Sequence, residues 1–252
     1  SLLLVFTKKE LKVKYKNSAL GFLWSFINPI VITAIYTFVF SVVFPTSIKD
    51  HPFPLYLIIG LLPWNFFTMA ISMCSGSIIG NGNLIKKVFF PKEIIPLSIV
   101  LSGLINFLLE IIVILVILIA MGYNFIPYIP VFFLAIFLQI IVTIGFGFIF
   151  ASVTVYFRDI EQLLPIILLV WFFATPIVYP LNDISSKSSA AATFLKIANP
   201  MTSIMLLYRE SLLYLRWPSI SLMFYATGSS LTVLFAGYYI YKKLSPNFAK
   251  EV

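Results

Sequence analysis

Charge is scarce in this sequence: 10% of its 252 residues are charged and 61% are hydrophobic. Soluble domains carry about 25% charged and roughly 45–50% apolar residues, so a soluble core is excluded. The one cysteine, Cys74, lies inside an apolar run. It excludes an internal disulfide and a cysteine-based metal site, and reads as a small packing residue. The one histidine, His51, sits in a short polar loop. No His-x-x-x-His or Glu-x-x-His spacing is present for zinc, and no Gly-x-Ser-x-Gly elbow for a serine nucleophile. No Gly-x-x-x-x-Gly-Lys-Ser/Thr loop is present for ATP. The chain is therefore not expected to be an enzyme by itself, nor to bind a metal or cofactor, and ATP-driven work would need a partner chain. No cleavable signal is expected: residues 1–6 are too short, and Lys8, Lys9, Lys12, Lys14 and Lys16 follow them. The sequence starts at Ser1 rather than Met, so its natural start is expected upstream.

What the chain has in abundance is apolar runs, and a membrane span needs about 20 such residues. Six spans are expected, at residues 24–44, 55–79, 94–121, 128–156, 163–179 and 219–241. The fold class is all-α and integral to the membrane. The net charge of +8 is scattered between the runs rather than gathered on one face. That pattern argues against nucleic acid and for orientation by the positive-inside rule. With the N-terminus inside, inside segments hold twelve basic residues: Lys8, Lys9, Lys12, Lys14, Lys16, Lys86, Lys87, Lys92, Arg158, Lys242, Lys243 and Lys250. Outside segments hold five: Lys49, Lys187, Lys196, Arg209 and Arg216. Both termini are expected in the cytoplasm.

Three segments do not span. Residues 1–22 form an amphipathic interface helix, with Leu4, Leu11, Tyr15 and Phe22 on one stripe and Lys8, Lys12 and Lys16 on a neighbouring face. The lysines serve either simple anchoring to anionic lipid or capture of a phosphate-bearing headgroup. Residues 82–91, flanked by turn signals, form a short cytoplasmic helix. Residues 194–214 are apolar but broken at Asn199-Pro200, where Asn caps and Pro occupies the first helical position. Two short helices that dip in and return fit this break.

Ionisable residues at membrane depth are functional candidates. Glu110 lies mid-span, as a pore-lining or interhelical contact or as a protonated packing residue. Arg209 and Glu210 make either a gate or an ordinary interfacial pair. Arg158, Asp159 and Glu161 make either a solvated turn or a partner contact. Aromatic residues are 17% of the chain. Most read as interfacial belts and lipid-facing bulk, and some as ring faces for sugars.

The run Lys14-Tyr15-Lys16-Asn17-Ser18-Ala19-Leu20-Gly21-Phe22-Leu23-Trp24 with Asn28-Pro29 resembles the opening signature of the ABC exporter permeases for polysaccharides and polyol phosphates. So do Phe90-Pro91-Lys92-Glu93-Ile94-Ile95-Pro96-Leu97, Tyr156-Phe157-Arg158-Asp159-Ile160 followed by Pro176, and Asn199-Pro200 followed by Arg209. The ordered set covers nearly the whole chain and is most similar to the O-antigen branch; teichoic-acid permeases share it.

The resemblance implies a homodimer with a central channel and two cytoplasmic ATPase subunits, which carry the ATP and magnesium. It implies a bacterial inner-membrane location and an undecaprenyl-diphosphate-linked polysaccharide as substrate, with membrane lipid around it. Asn83, Leu84, Ile85, Lys86, Lys87, Val88 and Phe89 would couple to the ATPase. Lys8, Lys12, Lys16 and Tyr15 would serve the interface helix or meet the substrate headgroup, and the opening signature has lysines where relatives often carry arginine. Glu110, Tyr208, Arg209 and Glu210 would belong to channel or gate. A lone secondary transporter would show internal repeats around midplane polar sites. A lipid-modifying enzyme would show clustered charges. Neither pattern is present.

Overall fold

The computed structural model describes residues 2–15, 23–39, 47–48, 51–185 and 188–252. Lys16, Lys49, Lys187, Phe22 and the later part of the first expected span lie outside the described residues.

Helix α1 (Leu2–Tyr15) precedes α2 (Trp24–Phe38). A small antiparallel ribbon, β1 (Ser47–Ile48) with β2 (His51–Pro52), leads into α3 (Phe53–Ser75). Pro54 sits in the first turn of α3, where its missing N–H costs nothing. Short helices α4 (Ser77–Gly80) and α5 (Gly82–Lys87) follow, then α6 (Ile94–Ala120), α7 (Ile129–Tyr156) and α8 (Ile160–Ala174). After an irregular stretch come α9 (Leu181–Ser185), α10 (Ser189–Ala198) and α11 (Pro200–Leu212). The chain closes with α12 (Ile220–Leu244) and α13 (Phe248–Glu251).

Among the described residues four helical stretches are long and apolar enough to cross a membrane: Phe53–Ser75, Ile94–Ala120, Ile126–Tyr156 and Ile220–Glu251. The pair α10–α11 would make a fifth, but it bends by 99° at Asn199. Helix α8 has 15 residues, about 22 Å long at 1.5 Å per residue, short of the roughly 30 Å of hydrocarbon. Its expected continuation to Tyr179 is not helical, since Thr175 is extended and Pro176 follows.

Helix α3 is the buried centre, with most of its length packed on α6, α7, α8 and α11. Small residues bring the helices together. A Cβ on Gly237 of α12 would lie 2.1 Å from the Gly145 carbonyl oxygen of α7. This is the close backbone approach that membrane helices use in place of a hydrophobic drive. Gly103 of α6 lets Phe66 of α3 approach, and Phe66 stacks on Phe107 at 5.0 Å. Ser75 and Thr154 bond at 2.8 Å between α3 and α7. Outward faces are apolar: Ile112, Val116 and Ile119 of α6, Ile166, Leu169, Val170 and Phe173 of α8, and Phe224 and Phe235 of α12 are exposed. In water such surface would be a liability; facing lipid it is the expected solvent contact.

Helix α1 packs on α6 through Leu3, Phe6, Thr7, Glu10 and Leu11, all buried or half-buried. The expected stripe through Leu4 is rotated: Leu4 and Val5 are exposed, beside Lys8 and Lys12. Leu3, Phe6, Thr7 and Glu10 keep the helical spacing, so the packed face won over the more apolar one.

Candidate functional site

Two ends of the molecule carry the polar residues. At the first, α5 covers only Gly82–Lys87, with Val88 extended and no helix over Phe89 and Phe90. The helix expected over 82–91 therefore stops early, because Val88 is β-branched and Pro91 follows. Ile85 turns inward and is buried, while Asn83, Lys86, Lys87 and Val88 are exposed and Leu84 is half-buried. Phe89 is fully exposed at 105%. Phe90 meets Phe6 of α1 at 5.8 Å, and Lys9 Nζ donates to Asn81 Oδ1 at 3.1 Å. Helix α1 is thus fastened to the α4–α5 turn. The backbone of Tyr15 is helical at the end of α1.

The same end is braced by the C-terminal segment. Lys92 Nζ donates to the Ser245 carbonyl at 2.7 Å and lies over the Phe248 ring. Tyr156 Oη donates to the Leu244 carbonyl at 3.0 Å. Lys242 pairs with Glu93. Burial pushes the Glu93 carboxyl up, but the Lys242 ammonium bonded to it, a backbone N–H and the nearby Lys92 together hold it below its ordinary value. Glu161, at the start of α8, lies beside Gly76, while Arg158 and Asp159 are exposed.

The other end is built around α10 and α11. Asn199 Oδ1 accepts from Met201 N–H at 3.1 Å, capping α11 with Pro200 at its first position. Its amide also donates to Thr175 Oγ1 at 2.9 Å, and Trp171 Nε1 donates to Asn199 Oδ1 at 3.0 Å. One side chain therefore caps α11 and pins the end of α8 to it.

Arg209 is 1% exposed. Its guanidinium donates to the carbonyls of Pro176 at 2.5 Å and Ile177 at 2.7 Å, and stacks 3.5 Å from the Tyr56 ring centre. Tyr56 Oη in turn donates to the Tyr179 carbonyl at 2.7 Å. The carbonyls of the irregular stretch after α8 are thus satisfied from α11 and α3. Glu210 does not pair with Arg209; it pairs with Arg216, which folds back after Leu215 adopts a positive φ of 49°. That carboxylate holds the Arg216 guanidinium above its ordinary value.

Tyr208 Oη donates to Gln139 Oε1 of α7 at 2.6 Å, and Gln139 Nε2 donates to the Pro63 carbonyl in α3 at 2.7 Å. This relay, with Gln139 fully buried, joins α11, α7 and α3. Gln139 carries no sequence signal beyond being a lone amide in an apolar run. Glu110 lies on α6. It is half-buried and lines a small cavity of about 40 Å³ with Asn65, Asn106 and Phe107. Phe107 of that cavity meets Tyr208 edge to face at 6.4 Å, while Glu210 pairs with Arg216. Among the described residues no group of His, Cys, Asp or Glu could hold a metal ion.

The chain matches the family described as ABC-2 type transporter over residues 1–213. It is 32% identical over 251 residues to the O-antigen export system permease protein RfbA of Myxococcus xanthus, covering 100% of this chain and 95% of that protein. It is 36% identical over 255 residues to RfbA of Klebsiella pneumoniae, covering 99% and 94%. It is 27% identical over 237 residues to the polysialic acid transport protein KpsM of Escherichia coli, covering 93% and 90%. With a match over most of its length, and with such identity across nearly the whole of both chains, this multi-pass membrane protein belongs to the ABC-2 type transporter family.

Proposed function

We propose that the chain is the membrane-spanning permease of an ATP-driven polysaccharide exporter. The carrying observation is end-to-end similarity to permeases named for O-antigen and polysialic acid transport. The substrate is a lipid-linked, O-antigen-like polysaccharide, carried on undecaprenyl diphosphate. A teichoic acid or other polyol-phosphate polymer is the second reading, favoured by the signatures those permeases share.

Two copies form the channel, and two ATPase subunits carry the ATP and magnesium. Helices α2 and α8 complete six crossings, with α10–α11 as a re-entrant pair at the outer face. The termini and α5 face the cytoplasm of a bacterial inner membrane, in line with the basic residues there.

Two features support the roles at the cytoplasmic end. Phe89, with no cover of its own, is suited to a groove on the ATPase, while Ile85 anchors the segment to the permease. The exposed Leu4 and Val5 immerse α1 in the interface and leave Lys8 and Lys12 at headgroup level.

Co-expression with the ATPase encoded beside this chain tests the proposal. A two-plus-two complex whose ATP hydrolysis drives polymer to the outer face is the expected result. A chain that stays alone and moves a solute without ATP would replace it with a secondary transporter.

A further inference from the structure

A cavity of about 490 Å³ opens between α3, α10, α11 and the start of α12. Its volume lies in the range of small-molecule sites. Lys196, Arg209 and Arg216 line it, and Glu210 is the one carboxylate among the described lining residues. That carboxylate is committed to Arg216 through both oxygens. Arg209 and Lys196 are left without a carboxylate among the described residues. Among the described residues Arg209 is a buried cation met by carbonyl dipoles and tyrosines rather than a carboxylate, and its Nε has no hydrogen-bond partner. A desolvated cation without a counter-charge is costly unless a ligand completes it. Tyr214 and Trp217 also line the cavity, and Trp217 is 60% exposed, an open ring face.

We propose that this cavity binds an anionic saccharide unit, with its acid group toward Arg209 and Lys196 and a sugar C–H face on Trp217. The saccharide part rests on the reading of the chain as a polysaccharide permease; the anion part does not. Such a subsite lets the outer end of the protein hold one residue of an acidic polymer.

The test is titration of the full chain in lipid nanodiscs, without ATPase, using tri-galacturonate, maltotriose and inorganic phosphate. Saturable binding of tri-galacturonate alone is expected. Lys196→Ala and Trp217→Ala, both at residues that are not fully buried, should each weaken it about tenfold, the loss of one charge-assisted contact or one ring face. Equal binding of maltotriose overturns the anionic part. Full displacement by equimolar phosphate overturns the saccharide part. No saturable binding, or wild-type affinity in both variants, overturns the site. A chain that binds tri-galacturonate yet never associates with an ATPase would keep this proposal and sink the exporter reading.

Discussion

A tyrosine, a glutamine and a proline carbonyl decide how α11 is held. Tyr208→Phe deletes one hydroxyl and leaves Gln139 Oε1 buried without a donor. An unsatisfied buried group costs about 1–3 kcal/mol, so this variant should unfold at lower temperature in detergent. An unchanged melting temperature would mean that the bond contributes nothing. Arg209→Lys keeps the charge but loses the planar fork that reaches two carbonyls while stacking on Tyr56. It should destabilise the protein by about 1–3 kcal/mol, since one buried carbonyl loses its donor; equal stability would show that charge alone suffices. The arginine was legible in the sequence as an ionisable residue in an apolar stretch. Its partners were not, because backbone carbonyls leave no residue-type signature.

At the scale of elements, the contact of α7 with α12 depends on two glycines. Gly237→Leu would force the backbones apart and should cost about 1–3 kcal/mol or more, with aggregation on size exclusion. Gly228→Ala, where a Cβ meets nothing within 4 Å, is the control and should behave as wild type. If both variants behave alike, the close approach is not what packs the pair. The brace between α6 and α12 should be sensitive to acid. Glu93 has a lowered value in the folded protein, so its pairing with Lys242 stabilises above the unfolded carboxyl value of about 4.3. That contribution is lost as pH falls through the lowered folded value. The melting-temperature gap between wild type and Glu93→Gln should therefore narrow as the pH falls from about 6 through the unfolded carboxyl value, and close below the lowered folded one. It should also shrink in high salt, because the Lys242 side chain is 51% exposed. A gap independent of pH would assign the effect to packing.

For the molecule as a whole, the two polar ends are joined by α3, α6 and α7, and a change at one end has rigid elements through which to reach the other. Under the proposed function Phe89→Asp should leave the permease folded, since the ring touches little of its own chain. Polymer export should fall while the ATPase still hydrolyses ATP. Leu84→Asp is the less clean variant because Leu84 is half-buried. Normal export by Phe89→Asp would remove that residue from the coupling surface.

Composition, run length and charge placement by themselves determined a helical membrane protein, the break at Asn199-Pro200 and the basic segment around Lys86. Those are local properties: apolar runs exclude water, a proline ends a helix, and an asparagine caps one. Tertiary structure alone decided that α1 presents Leu4 outward and that Arg209 meets backbone rather than Glu210. Each of these turns on which surface a neighbouring helix offers, and residues far apart in sequence supply that surface.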